Sequence, residues 1–145
     1  MNNPLSQEIV RLSALNPQSK WVVFQDGVIA NLPRMLGVPS LGGVMWPPQT
    51  DFWQSHFGQP HNVPVEVVNR YAHVVFTYCD SKEATFSLES PDAFKVCTNP
   101  DSSDLAAAGV DYVIFVGPNE MMSNSQTFTR VFSYRDKHIY ARRKL

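Results

Sequence analysis

The polar run from Asn69 to His73 contains the side chains best suited to chemistry, because it combines an amide, a guanidinium, a phenol and an imidazole. It enters a stretch with the composition of a buried strand, where an unpaired arginine or histidine is strongly destabilising. We therefore predict partners for Arg70 and His73 at the ends of neighbouring elements, where α/β sheets gather polar groups into clefts. The predicted cluster consists of Asp26, Asn31, Asp51, Asn69, Arg70 and His73. It either fixes the core or binds a polar ligand, and the residue types favour the structural role.

A second candidate surface is aromatic. Trp46, Phe52, Trp53 and Phe57 form the densest group of aromatic residues in the sequence. Aromatic rings can stack on sugar rings, so Trp46, Trp53 and Phe57 are candidates for a carbohydrate-binding patch. Aromatic residues beside proline-rich loops more often fill a core or cover a sheet edge. The sequence favours this second interpretation.

Spacing argues against the catalytic and metal-binding combinations that the residue types allow. Asp51, His56 and His61 can ligate zinc with an open fourth position, but intervals of five residues do not place them on one helical face. His73 and Cys79 resemble a base and a thiol nucleophile, yet six residues along a strand separate them by ~20 Å. No glycine-rich phosphate loop is present. We therefore expect no catalytic residue, no metal and no cofactor.

Composition predicts a single globular domain over residues 1–145 and argues against a general nucleic-acid-binding role. The formal net charge is −1 and the sequence pI is near 6.4, whereas such proteins are strongly basic. Hydrophobic residues make up 43% of the chain, which is enough for a core without disulfide or metal support. No apolar run is long enough to span a membrane, and the first residues lack the features of a signal peptide.

Two further features have alternative interpretations that the sequence leaves open. Cys79 and Cys97 either form a disulfide between neighbouring strands or remain two buried thiols. The basic stretch Arg142-Arg143-Lys144 either is an ordinary solvated surface or lies near an anionic surface such as lipid headgroups.

The elements that must position these residues alternate early between helix and strand and become hairpins later. Asn3 and Pro4 are typical of a helix start, and Pro33 is expected to break a second helical stripe. Asp101 and Asp104 are predicted to begin a further helix as a capping pair. Residues 41–45 are a predicted short strand, and residues 110–116 are apolar on both faces, as in a strand covered on both sides.

These elements predict an α/β or α+β fold around a mixed sheet. We expect about five to seven strands, about three to four short helices and a C-terminal β-hairpin. In the covered strand, Val113 and Phe115 should face one side of the sheet, and Ile114 and Val116 the other.

A series of segments along the chain carries a family resemblance. These segments are Trp21-Val22-Val23-Phe24, Ala30-Asn31-Leu32, Gly42-Gly43-Val44, Asp51-Phe52-Trp53, Asn69-Arg70-Tyr71-Ala72-His73 and Ala107-Ala108-Gly109-Val110-Asp111-Tyr112-Val113. Their order resembles the soluble C-terminal domain of large polytopic bacterial membrane proteins in the glycosyltransferase-like class that uses polyprenyl-phosphate sugars. The resemblance covers nearly the whole chain. It carries over no catalytic residue, because in that class the catalytic acid lies in loops of the membrane part.

The resemblance implies a non-catalytic extracytoplasmic accessory domain, periplasmic or at the cell surface, that supports or gates the handling of lipid-linked sugars. Met1 would then not be the natural start of the chain. The partners would be the membrane-embedded part of the same polypeptide and a lipid-linked sugar or glycan. One alternative is a free-standing cytosolic α/β enzyme or small-ligand-binding protein that uses Asp26, Arg70 and His73. Another is a pure interaction module.

Overall fold

A mixed β-sheet with helices on both faces organises the chain. The computed structural model describes residues 3–45, 50–57, 63–68, 72–80 and 84–144. The strands are β1 (Trp21–Phe24), β2 (Ser40–Leu41), β3 (Gly43–Met45), β4 (Ala72–Tyr78), β5 (Thr85–Ser90), β6 (Ala93–Thr98), β7 (Tyr112–Val116), β8 (Phe128–Tyr134) and β9 (Lys137–Arg142). The helices are α1 (Pro4–Leu15), α2 (Leu32–Met35), α3 (Thr50–His56), α4 (Val65–Val68) and α5 (Ser103–Ala107), with 3₁₀ turns at Ile29–Asn31 and Glu120–Met122.

Four parallel strands form the middle of the sheet. The strand order is β5-β6-β4-β1-β7-β9-β8, and β6, β4, β1 and β7 all run in the same direction. β5 is antiparallel to β6, and the hairpin of β8 and β9 adds to β7 in antiparallel fashion. The predicted mixed sheet and C-terminal hairpin are therefore confirmed. The described strands number nine and the α-helices five, more than expected, because β2, β3 and α4 are very short.

The two shortest strands, β2 and β3, fill a gap between β1 and β4. β2 pairs with the first half of β1, β3 pairs with the first half of β4, and Phe24 of β1 pairs with Phe76 of β4 beyond them. Gly42 turns the chain between the two short strands with a φ of +78°, and a Cβ there would approach the Val74 carbonyl oxygen to 3.1 Å. The single strand predicted over residues 41–45 is therefore divided at a position that only glycine suits.

The sheet is covered by a separate hydrophobic cluster on each face. One cluster contains Val113 and Phe115 with residues from α3, α4 and α5, and the other contains Ile114 with residues from α1 and α2. Val116 packs against the second cluster. The predicted alternation along β7 is therefore confirmed, and this strand lies between two layers of helices.

Local sequence explains where the helices begin and end. The Asn3 side chain accepts a hydrogen bond from the Ser6 N–H at 2.8 Å, and Pro4 occupies the first turn of α1. Pro33 reduces the second helical stripe to a 3₁₀ turn followed by the single turn of α2, as predicted. The predicted capping pair at α5 is corrected, because Ser102 is the N-cap residue and Asp104 lies inside the helix.

Alanine substitution tests the two-sided burial of β7. Ile114 and Phe115 are each fully buried, on opposite faces of the sheet. Truncation of either side chain to alanine should lower the free energy of unfolding by about 2–5 kcal/mol, because each leaves a cavity that the covering helices cannot fill. Val131→Ala on β8, where the side chain is 47% exposed, is the control and should change stability by about 0.5 kcal/mol or less. Chemical denaturation followed by circular dichroism measures all three variants. Wild-type stability in both core variants would contradict a central position for β7.

Candidate functional site

The parallel strands give the sheet two distinct edges, and the predicted polar cluster is divided between them. β1, β4, β6 and β7 end at one edge, the carboxyl edge, and begin at the opposite edge, the amino edge. Asp26 follows β1 at the carboxyl edge, whereas His73 lies near the start of β4 at the amino edge. The chain leaves the line of β1 after Phe24, because Gln25 has a φ of +78° and a Cβ at Gly27 would lie 3.2 Å from the Val75 side chain. The hydrogen bonds that the structure describes for the Asp26 side chain go to Val28 and Ile29, and none joins it to His73. The structure therefore does not bring Asp26 and His73 together.

Asp26 has a local structural role. Its carboxylate accepts hydrogen bonds from the N–H groups of Val28 at 2.7 Å and Ile29 at 3.3 Å. An aspartate that binds the main chain two and three residues ahead fixes a turn, here the one that leads into the 3₁₀ turn after β1. This carboxylate is thus engaged by main-chain N–H groups.

His73 has its neighbour in Asp92, at the turn between β5 and β6. The His73 N–H donates to the Asp92 carbonyl oxygen at 2.8 Å, and the residue is exposed. The pKa of the Asp92 carboxyl is lowered mainly by the Ser90 hydroxyl, which donates to it at 2.7 Å, and in smaller part by the nearby His73 imidazole. His73 therefore belongs to a solvated turn region.

The remaining members of the predicted cluster lie on other elements or outside the described residues. Asn31 ends the 3₁₀ turn before α2 and packs against Gly43, where any side chain would collide with the Asn31 amide. Asp51 is exposed in the first turn of α3. Asn69 and Arg70 lie outside the described residues, so the predicted pairing of Arg70 stays a prediction.

The aromatic group is part of the core where the structure describes it. Trp53 is 1% exposed and Phe57 0%, and both belong to the cluster on the face that α3 covers. The Trp53 ring lies 5.6 Å from the Phe94 ring and 6.0 Å from the Phe76 ring, measured between centroids. Its faces are covered by protein, so Trp53 and Phe57 do not form a sugar-stacking surface. Trp46 lies outside the described residues.

A small polar hollow lies at the carboxyl edge, between β4, the end of β6 and the segment that follows β7. Its volume is about 190 Å³, and its polar lining includes Tyr78, Asn99, Asp101, Asn124 and Ser125. The Tyr78 hydroxyl donates to the Asp80 carboxylate at 3.0 Å, and burial together with this hydrogen bond raises the pKa of Tyr78. The ends of parallel strands commonly form ligand clefts. This hollow contains amides, hydroxyls and one carboxylate, which recognise polar ligands through hydrogen bonds.

Asp101, which the sequence predicts as part of a helix-capping pair, instead binds the segment between β7 and β8. Its carboxylate accepts hydrogen bonds from the Ser125 hydroxyl at 2.5 Å, the Gln126 N–H at 3.0 Å and the Thr127 N–H at 3.3 Å. These contacts fix the crossover segment from β7 to β8 against the turn after β6. These partners lie 24 to 26 residues after Asp101 in the sequence, so no local sequence pattern near Asp101 could predict them.

Ser133 and His138 form the contact that most resembles a nucleophile with its base. The Ser133 hydroxyl lies 2.7 Å from His138 Nδ1, and the two residues are direct cross-strand neighbours in the β8–β9 hairpin. Burial and the nearby Arg130 guanidinium lower the pKa of His138. Ser133 is exposed, so the pair is explained as a cross-strand hydrogen bond of the kind that stabilises sheets.

Cys79 and Cys97 form a disulfide. Their Cα atoms are 5.4 Å apart, within the usual range for a bridge. The Cys79 N–H also donates to the Thr98 carbonyl oxygen at 3.1 Å, so main chain and side chains both join β4 to β6 at the carboxyl edge. Of the two alternatives that the sequence left open, the structure has the disulfide.

Comparison with known proteins identifies the family to which these features belong. Residues 1–144 match a family described as a domain of unknown function, DUF7654. The chain belongs to this family. No curated protein and no solved structure matches it. Because the match spans every strand from β1 to β9, the DUF7654 domain coincides with the sheet and its covering helices.

Across the residues that the structure describes, no group of three or more His, Cys, Asp or Glu side chains is placed to hold a metal ion. None of the helices in the same ranges is long and apolar enough to cross a lipid bilayer.

Substitution of Asp101 tests its role in the DUF7654 domain. Asp101→Ala removes the acceptor of three hydrogen bonds and leaves the Ser125 hydroxyl without its carboxylate partner. We expect a loss of about 1–3 kcal/mol in the free energy of unfolding. Glu120→Ala is the matched control, because it removes an exposed acid from the same crossover segment and should have little effect. Equal stability of the two variants in chemical denaturation would show that Asp101 does not anchor the segment.

Proposed function

We propose that this DUF7654 domain is a non-catalytic extracytoplasmic accessory domain of a bacterial membrane protein of the glycosyltransferase-like class. In that role it supports or gates the handling of lipid-linked sugars by the membrane-embedded part of the same polypeptide. The disulfide between Cys79 and Cys97 is the observation that carries the proposal.

Disulfides of this kind are informative about the compartment. Structural disulfides form and persist in the periplasm and at the cell surface, whereas cytosolic thiols are kept reduced. The bridge joins two strands that already pair through the main chain, and Thr77 of β4 is directly opposite Cys97 of β6. The disulfide therefore links two strands that are already hydrogen-bonded, which is typical of a structural bridge. This supports an extracytoplasmic location.

The described candidate residues support an accessory role. Asp26 and Asp101 direct their carboxylates at main-chain N–H groups, and Trp53 and Phe57 are in the core. The alternative of a free-standing cytosolic protein depended on Asp26, Arg70 and His73 acting together. The Asp26 carboxylate is bonded to the N–H groups of Val28 and Ile29, and no described hydrogen bond or ion pair joins it to His73, which disfavours that constellation. The link to membrane-bound handling of lipid-linked sugars rests on the resemblance of the sequence segments.

Topology reporters test the proposal in the natural full-length protein. Alkaline phosphatase is active only after export, and green fluorescent protein is fluorescent only when it folds in the cytoplasm. Fused after the DUF7654 domain in a bacterial host, the first reporter should be active and the second dark. The reverse pattern would place the domain in the cytoplasm and would refute the proposal.

The disulfide itself can be tested on the purified chain. Without reductant, neither cysteine should react with an alkylating reagent in denaturant, as judged by intact mass. Replacement of both Cys79 and Cys97 by serine should lower the free energy of unfolding by about 3 kcal/mol, because the bridge closes a loop with a sequence separation of 18.

Reduction provides the matched control for this variant. A reducing agent should destabilise the wild-type chain by a similar amount and leave the double serine variant unchanged. Free thiols in protein recovered from an oxidising compartment would contradict the structural role of the bridge.

A further inference from the structure

A cleft lies at the amino edge of the sheet, away from the disulfide. Arg143 lines this cleft and donates to the carbonyl oxygen of Ser125, which lines the small polar hollow, at 3.5 Å. The volume of the cleft is about 820 Å³. One wall is the loop after α1, which includes Asn16, and the other is formed by the start of β7 at Tyr112 and the end of β9 with the following residues. The cleft therefore gathers three parts of the chain that are far apart in sequence.

The cleft is basic. Arg142, Arg143 and Lys144 line it, together with a single acid, Asp111. The Asp111 carboxylate accepts a hydrogen bond from the Lys20 N–H at 3.0 Å, which fixes it to the start of β1. The ion pairs that the structure describes all lie elsewhere, at Arg11–Glu8, Lys95–Glu89 and Lys137–Asp136. The three bases thus have no carboxylate partner among the described residues.

Arg142 is held in place while part of its guanidinium is unused. Its Nε donates to the Val110 carbonyl oxygen at 2.7 Å, and the guanidinium carbon lies 4.8 Å from the centre of the Phe128 ring. Its Nη2 is buried and has no hydrogen-bond partner in the structure. A buried donor without an acceptor is costly, so a small shift of the cleft wall that lets an anion reach this atom gains a strong, charge-assisted hydrogen bond.

Neutral donors on both walls, Asn16 on one and Tyr112 on the other, complement the bases. The Asn16 side-chain amide donates to the Tyr112 hydroxyl at 3.0 Å, and the Tyr112 ring stacks on Trp21 with centroids 4.4 Å apart. This leaves the second amide N–H of Asn16 and the hydroxyl proton of Tyr112 as further donors. Guanidinium, ammonium, amide and phenol donors around one cleft suit a compact anion with several acceptor oxygens.

We infer that this cleft binds the phosphate group of an anionic ligand. Arg142 and Arg143 supply planar guanidinium donors, which match phosphate oxygens, and Lys144 supplies a flexible positive charge at the opening. The phosphate can belong to a lipid headgroup or to a soluble molecule, and the chemistry of recognition is the same. The inference does not depend on the proposed function, since it rests on the amino edge alone.

Two probes test the inference on the 145-residue chain. The first is inorganic pyrophosphate, followed by NMR through the Arg142 Nε–H and the Asn16 side-chain amide. The second is sedimentation with phosphatidylcholine vesicles that either contain or lack phosphatidylglycerol. Signal shifts with pyrophosphate alone indicate a soluble source of the phosphate, and binding to the anionic vesicles alone indicates a headgroup. Both results support a phosphate site, and absence of both overturns it.

A pair of double variants separates a site from general charge attraction. Arg143→Gln with Lys144→Gln removes two exposed bases beyond the end of β9. The variant loses the long hydrogen bond from Arg143 to the Ser125 carbonyl oxygen, 3.5 Å, and folding should be retained. Affinity should fall roughly 30-fold, which corresponds to about 1 kcal/mol for each base. Arg130→Gln with Arg135→Gln makes the same change of charge at exposed positions of the hairpin outside the cleft.

This control should bind as the wild type does. Equal losses in the two double variants, or wild-type binding by the Arg143→Gln, Lys144→Gln variant, would overturn the inference. A one-dimensional proton spectrum of each variant verifies that the fold is intact.

Discussion

Strand β1 is buried on both faces along its whole length, and the need to pair and cover it shapes the rest of the fold. Buried main-chain N–H and carbonyl groups must find partners, because leaving them unpaired away from water is costly. β7 supplies those partners along one side of β1. On the other side β2 pairs with the first half and β4 with Phe24 at the end. The short β2–β3 segment is therefore what allows β4 to diverge from β1 without exposing that strand.

Because the middle of the sheet is buried, its polar side chains lie at the two edges, and the two edges differ in charge. At the carboxyl edge the polar side chains bind the main chain. Gln25, whose φ is +78°, accepts a hydrogen bond from the Tyr78 N–H through its side-chain oxygen at 3.2 Å. Asp26 and Asp101 accept hydrogen bonds from main-chain N–H groups of nearby turns. At the amino edge Arg142 and Lys144 keep charge that no described carboxylate neutralises. The amino edge also holds the fold, through the bonds of Arg142 to the Val110 carbonyl oxygen and of Asp111 to the Lys20 N–H, but it differs in keeping this unneutralised positive charge.

Sequence could predict the elements that depend on local patterns but not the contacts that depend on the sheet order. The start of α1 at Asn3 and the two-sided burial of β7 follow from capping chemistry and from apolar alternation, and both are confirmed. The division at Gly42 depends on the approach of β4, and the role of Asp101 depends on a distant crossover. The prediction of the polar cluster rests on element ends alone. Whether an end lies at the amino or the carboxyl edge requires knowing that β1 and β4 are parallel, which separates Asp26 from His73.

The two edges also make the two proposals physically independent. The proposed extracytoplasmic location depends on the disulfide between Cys79 and Cys97. The proposed anion binding depends on the basic residues at the opposite edge. Of the large hydrophobic side chains that are exposed in the described ranges, Leu15 is the one that lines the cleft, and the isolated exposure of such a residue is normal for a protein surface. A contact of the amino edge with a membrane would therefore be mainly electrostatic. It would weaken as salt shortens the range of the charges, whereas the disulfide would hold the carboxyl edge together at any ionic strength.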